Sequence, residues 1–144
     1  MLKPTLKLKR YKIINKYKNN FLKITDRKKH IIITPGGDNI SPLKIENELV
    51  NLEFIDQAVV YGDNKPYLVA LLVLKDEFIN ITNDEINNAI NNLNNNLSKI
   101  ENIKKFFLIK EKFSIENGML TPTLKLKRYK IINKYKNNFE NLYN

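Results

Sequence analysis

The chain has no cysteine among its 144 residues. Disulfides and thiolate nucleophiles are therefore excluded, and a cytosolic setting fits that composition. Its one histidine, His30, has no paired carboxylate or serine motif, so it reads as structural or exposed. No apolar run reaches membrane length. The longest, Tyr67 to Leu74, falls far short of the ~20 residues a spanning helix needs and reads as a buried strand. The basic start is not followed by an apolar run and a small-residue cleavage site, so no secretory leader is expected. Zinc-ligand spacing, a base-stacking aromatic signature and a helix-turn-helix are all missing, so nucleic acid is not the expected partner despite the basic charge.

Two segments lack acids altogether, and they are copies of each other. Residues 1–21, MLKPTLKLKRYKIINKYKNNF, recur as 119–139, MLTPTLKLKRYKIINKYKNNF, at an offset of 118 residues; only Lys3 against Thr121 differs. Amphipathic segments need matching polarity, not matching identities, so the repeat reads as a duplication. The expectation is a chain that opens inside the tail of a preceding copy and runs through one unit, 22–139. The two copies hold 13 of the 25 basic residues, and the remainder carries 12 basic against 15 acidic side chains. The net charge of +10 is thus mostly one segment counted twice.

Composition predicts one compact domain, 22–144, with a loosely ordered N-terminal basic arm, 1–21. Leu22–Thr25 alternates as a half-buried strand, and His30–Thr34 is a β-branched second strand. Pro35-Gly36-Gly37-Asp38-Asn39 is the strongest turn in the chain. Ser41 and Pro42 cap and open a helix over 42–52, with Ile45, Leu49 and Leu52 on its buried face. Strands over 54–61 and 67–74 flank the turn 62–66 as a hairpin, the second apolar enough to be central. Thr82 caps a helix whose core face is Ile86, Ile90, Leu93, Leu97 and Ile100; its other face is asparagine, so packing must hold it. A strand at 103–109, a turn at Asn117-Gly118, a loop at 121–127 and a helix at 128–142 complete the unit. This order gives a small α+β, two-layer domain of short β-sheet with packed helices.

Three blocks, LKITDRKKHIIITPGGDNISPLKIEN (22–47), VVYGDNKPYLVALLVL (59–74) and ENGMLTPTLKLKR (116–128), resemble in order and spacing the C-terminal domain of long-chain fatty-acid–CoA ligases. These are acyl-adenylate-forming, AMP-binding enzymes. The resemblance covers nearly all of 22–144. It implies a mobile lid that swings between an adenylate-forming and a thioester-forming pose over a large domain holding ATP and fatty acid. The family's catalytic lysine lies three residues before an arginine. In Lys125-Leu126-Lys127-Arg128 that is Lys125, which would contact the fatty-acid carboxylate and phosphate oxygens, with Lys127 the alternative register. Arg27 matches an arginine near the nucleotide, and Lys29 the hinge. Gly36-Gly37 matches the loop that approaches the site in the thioester pose, and Glu46 an acidic position in the next helix. ATP, Mg²⁺ and CoA are the implied cofactors of a complete enzyme. Without the resemblance, Lys125 is a solvated charge, Gly36-Gly37 an ordinary turn, Arg27 and Lys29 surface charge, and Glu46 a solvated helix residue.

The sequence departs from the family in its missing parts: it contains no Ser/Thr/Gly-rich phosphate loop and no large domain. The expectation is a lid domain inactive alone, because catalysis would depend on positioning ATP and acid together. Two further readings remain: a lid that complements a separate large domain in trans, or a non-enzymatic basic module that binds anionic lipid or RNA. The setting is cytoplasmic, with peripheral membrane contact open. Both copies of the repeat could compete for one groove on the 22–118 core. The C-terminal copy is expected to win, leaving 1–21 exposed, frayed or swapped, and Lys7 without a catalytic role.

Overall fold

The computed structural model describes residues 30–144. The arm 1–21, the strand expected at 22–25, Arg27 and Lys29 lie outside the described residues. The domain opens with a two-stranded antiparallel hairpin, β1 (Ile32–Ile33) and β2 (Asn39–Ile40). The strand expected over His30–Thr34 is shorter because Thr34 is already committed to the turn. Its Oγ1 accepts from the Asp38 backbone at 2.9 Å, and its carbonyl accepts from Gly37 at 2.9 Å. Gly37 sits at φ +91°, which a side chain would strain.

Helix α1 (Pro42–Val50) begins where Ser41 and Pro42 put it, with the Lys44 N–H donating to Ser41 Oγ at 3.4 Å. A three-stranded sheet follows in the order β3 (Ile55–Tyr61), β4 (Leu68–Leu74), β5 (Ile103–Ile109). The β3–β4 pair is the expected hairpin, and β4 is the expected central strand. Gly62 closes that hairpin because a Cβ there would come 2.5 Å from the Leu68 side chain. Strand β5 pairs with β4 in parallel, and α2 (Asn83–Asn94) makes the crossover. Thr82 and Glu85 cap α2 reciprocally, each bond 3.1 Å.

The sheet is covered on both faces. On one, Ala70 and Leu72 of β4 pack with Ile45 and Leu49 of α1 and Ile86 and Ile90 of α2. On the other, Val69, Leu71 and Val73 pack with Phe113, Met119, Ile131 and Phe139. This explains why β4 reads as a continuous apolar run instead of an alternation.

Two local expectations change. Ile100 is not on the face of α2: the helix stops at Asn94, whose amide bonds the Ile103 backbone N–H and carbonyl, each at 2.9 Å. Ile100 lies in a 3₁₀ turn, 45% exposed. The last helix is two, α3 (Arg128–Lys134) and α4 (Lys136–Asn141), broken at Tyr135 with φ −107° and ψ 20°. On one straight helix, residues eight apart diverge by about 80°. The break lets both Ile131 and Phe139 reach the sheet, each fully buried.

Candidate active site: the Lys125 loop and its anchor

Lys125 stands on a tight loop between Phe113 and α3. The loop is pinned at its base by an antiparallel bridge between Leu120 and Leu126 and by the Lys127 N–H donating to the Met119 carbonyl at 2.8 Å. Met119 is buried against the sheet, so the base is held by packing as well. Thr121 holds the tip. Its hydroxyl accepts from the Lys125 N–H at 3.1 Å, and its own N–H donates to the Lys125 carbonyl at 2.8 Å. Both backbone groups of Lys125 are thus fixed by one residue while the side chain stays exposed. The neighbouring Leu124 sits at φ +66° and is 67% exposed. A leucine in the left-handed region is uncommon and strained, and here it persists where the Leu124 N–H donates to the Thr121 carbonyl at 2.8 Å.

Arg128, at the start of α3, fixes where this loop sits. Its guanidinium meets the Glu46 carboxylate of α1 in a two-pronged ion pair, with Nη2 donating to Oε1 at 2.8 Å and Nη1 to Oε2. Glu46 Oε2 also accepts from the Val60 N–H at 2.8 Å. Strand β3 is an edge strand, and Glu46 takes an N–H of that edge. The pair therefore spans the edge of the sheet and ties the α1 layer to the segment carrying Lys125. Glu46 is 3% exposed, so it is not a solvated helix residue.

The remaining candidates separate. Lys127 is exposed and precedes α3; its carbonyl accepts from Lys130 and Ile131, at 3.0 and 3.1 Å. Gly36 and Gly37 form the exposed tip of the β1–β2 hairpin. Beside it lies an open groove of about 390 Å³, lined by Gly36, Asp38, Lys65, Tyr67, Lys99 and Lys104 among others. Lys65 is paired with Glu140 at 2.7 Å, so Lys99 and Lys104 against Asp38 give the groove its positive bias. Lys125 and Lys127 do not line it. The fold thus brings Glu46 to the Lys125–Arg128 motif and keeps the glycine hairpin as a second, distinct feature.

Sequence reasoning missed the burial of Glu46 and Arg128 and the clamp at Thr121. One signal was available: the buried residues Pro42, Ile45, Glu46 and Leu49 follow an i, i+3, i+4, i+7 stripe, with a carboxylate in an apolar slot. The anchor of α4 was also missed. Glu140 accepts from Tyr61 Oη at 2.5 Å and Lys65 Nζ at 2.7 Å, and Tyr143 Oη donates to the Tyr67 carbonyl at 2.8 Å. Burial and then the bond to Glu140 push the Tyr61 phenol up to about 12. Lys65 and then Tyr61 hold the Glu140 carboxyl below the usual carboxylate range.

Residues 29–144 match the model of the AMP-binding enzyme C-terminal domain. Long-chain-fatty-acid–CoA ligase FadD15 of Mycobacterium tuberculosis is 34% identical over 147 residues, covering 88% of this chain and 24% of that protein. Human long-chain-fatty-acid–CoA ligase 1 is 33% identical, covering 87% of this chain and 21% of its own length. The chain thus spans about a quarter or less of these relatives. The fold matches the A domain of carboxylic acid reductase from Segniliparus rugosus, solved with AMP and a co-purified carboxylic acid. That match has a TM-score of 0.75 at 24% identity, over 82% of this chain and 20% of the other. Among the described residues no helix is long and apolar enough to cross a membrane. The small α+β domain expected from the order of elements is found, and the chain belongs to the AMP-binding enzyme C-terminal domain family, as the three sequence blocks led one to expect.

Proposed function

We propose that this chain is the lid of a long-chain fatty-acid–CoA ligase, working over a large adenylating domain that binds ATP and fatty acid. ATP supplies the adenylyl group that the fatty-acid carboxylate takes up, and CoA the thiol that then displaces AMP. The observation that carries the reading is the Thr121 clamp. It fixes the Lys125 backbone at both N–H and carbonyl and leaves the ammonium exposed. A held lysine suits an oxyanion whose charge rearranges during adenylation, because little reorganisation is needed in the reaction.

The lysine's role in the first step is to contact the carboxylate and phosphate oxygens. Lys127 is the alternative, but its side chain leaves the segment two residues closer to the Arg128 anchor. Gly36 and Gly37 serve the second step. The groove beside them, with Lys99 and Lys104, fits the phosphates of CoA by charge. The separation of the groove from Lys125 supports two poses, each presenting a different face to the large domain. Mg²⁺ would travel with the nucleotide phosphates instead of in a protein cage of this domain. Arg27 and Lys29 keep the nucleotide-side and hinge roles that the resemblance gives them.

The test is AMP release from palmitate, ATP, Mg²⁺ and CoA. The expected result is no release by the 144 residues alone, and restored release on mixing with a ligase's large domain stripped of its own lid. Lys125→Ala should abolish the restoration. AMP release by the chain alone, or restoration indifferent to Lys125→Ala, would overturn the proposal.

A further inference from the structure

Four of the described residues have a positive φ. Gly37 and Gly118 carry no Cβ, and Asn64, at φ 56°, is of a type that tolerates the left-handed region. Leu124, at φ +66°, is the exception. The loop explains why the backbone is left-handed there. The Leu124 N–H donates to the Thr121 carbonyl at 2.8 Å and closes the turn 121–124, with Pro122 at its second position. The Thr121 N–H then donates to the Lys125 carbonyl at 2.8 Å. This is a three-residue hairpin connection whose last residue is left-handed, a position that favours glycine. Backbone chemistry alone would put glycine at 124.

The leucine gains little inside the domain in return. It is 67% exposed, whereas Leu120 and Leu126 pack against the core on either side of the loop. Tyr129 at 80% and Leu124 at 67% are the most exposed large hydrophobic side chains among the described residues, and they stand on either side of Lys125. A single exposed leucine is ordinary. One held in a disfavoured backbone state, next to an exposed lysine whose own backbone is clamped, points to a contact outside the domain.

We propose, on the lid reading above, that Leu124 is a docking residue. In the adenylate-forming pose it buries against an apolar seat on the large domain, at the rim of the nucleotide site, and so sets how far the Lys125 ammonium enters. Adjacent Cα atoms lie about 3.8 Å apart, so the surface that admits Lys125 also meets Leu124. Burial there offsets the cost of the left-handed leucine. Glycine would form the same turn and leave the seat empty. Leu124 is thus a positioning residue that acts through Lys125 and touches no reacting atom.

In complementation by the full chain, the lid concentration giving half-maximal AMP release reads docking, and the plateau reads chemistry. Leu124→Gly should raise the half-maximal concentration by roughly tenfold or more, the scale of one leucine's burial, and keep the plateau within about twofold. Leu124→Asn tolerates the same φ without glycine's freedom and should do the same, and Leu124→Met should return the wild-type value. Neither Leu124→Gly nor Leu124→Asn should melt below the wild-type chain, because little packing is lost. An unmoved half-maximal concentration, with Lys125→Ala inactive, would overturn this inference and leave the lid reading standing; no release with the wild-type chain would remove both. A raised KM for palmitate at an unmoved half-maximal concentration would put the leucine on the acyl chain, and a lowered Tm would make its role structural. Either result defeats the proposal.

Discussion

Glu46 and Arg128 lie 82 residues apart in sequence and meet in a buried two-pronged ion pair beside β3, the edge strand among the described residues. The pair links the layer of α1 to the base of the Lys125 loop. Its energetics are asymmetric. A buried pair adds little over an apolar pair of the same shape, but removing one member leaves a charge in a dry site.

Glu46 supplies both prongs of the pair and also accepts from the Val60 N–H, so its removal takes the carboxylate from a buried guanidinium. Glu46→Ala should therefore cost about 3–5 kcal/mol of stability. Glu46→Leu combined with Arg128→Met should recover most of that loss yet leave lid activity impaired, since the loop base is no longer set by directional bonds. Chemical denaturation of the single and double variants measures the first part. A Glu46→Ala loss below about 1 kcal/mol would contradict the burial of the pair.

Thr121→Val keeps the shape of the side chain and removes the hydroxyl that accepts from the Lys125 N–H. One such bond is worth about 0.5–1.5 kcal/mol net, so Tm should fall by only a few degrees. Lid-dependent AMP formation should fall by roughly tenfold or more, because small misplacements of a reacting group are costly. Thr121→Ser should retain activity. Equal activity of the valine and serine variants would remove the clamp from the account.

Much of this architecture is legible in the sequence, and the exceptions share a cause. Ser41-Pro42, Thr82, the apolar run of β4 and the strand Ile103–Ile109 are local signals, and each element forms where its signal stands. Glu46–Arg128 and Tyr61–Glu140 are long-range pairs, and no periodicity announces which charge meets which. The break at Tyr135 is also tertiary. Its ring lies 6.2 Å from that of Phe107 and its hydroxyl bonds Glu111 at 3.2 Å, contacts that sequence propensity does not encode. At the candidate site, the resemblance singles out Lys125 and Glu46, but the burial of Glu46 against Arg128 and the clamp at Thr121 follow from geometry.

The cationic groove beside Gly36 gives a prediction that separates the two half-reactions. Lys99→Glu with Lys104→Glu reverses the two groove lysines that Glu140 does not pair. In the complemented enzyme the KM for CoA should rise by roughly tenfold, because charge-assisted bonds to phosphate are lost. Adenylate formation, followed by pyrophosphate release without CoA, should be unchanged. A matching loss in both half-reactions would mean that the substitutions act on folding or on docking of the lid.

The α4 anchor predicts pH dependence with opposite signs at the two ends of the scale. Glu140 has its carboxyl lowered by Lys65 and then Tyr61. Its contribution is therefore present above the unfolded value of about 4.3 and lost as pH falls through the lower folded value. Tyr61 behaves conversely, since its phenol is pushed up to about 12 by burial and then by Glu140. Its contribution is present below the unfolded value of about 10 and lost as pH rises toward 12. Glu140→Gln should flatten the acid limb of a Tm–pH curve and reduce the alkaline one, because the same carboxylate also raises Tyr61. Tyr61→Phe should remove its alkaline step and weaken the acid one. The two substitutions should therefore be non-additive at both limbs, as expected of groups in direct contact. Since the Glu140 side chain is 34% exposed, solvent screens its share, and added salt should shrink the acid limb before the alkaline one. An alkaline limb unchanged in Tyr61→Phe would place the high-pH loss on another tyrosine and break the link between α4 and β3 as its cause.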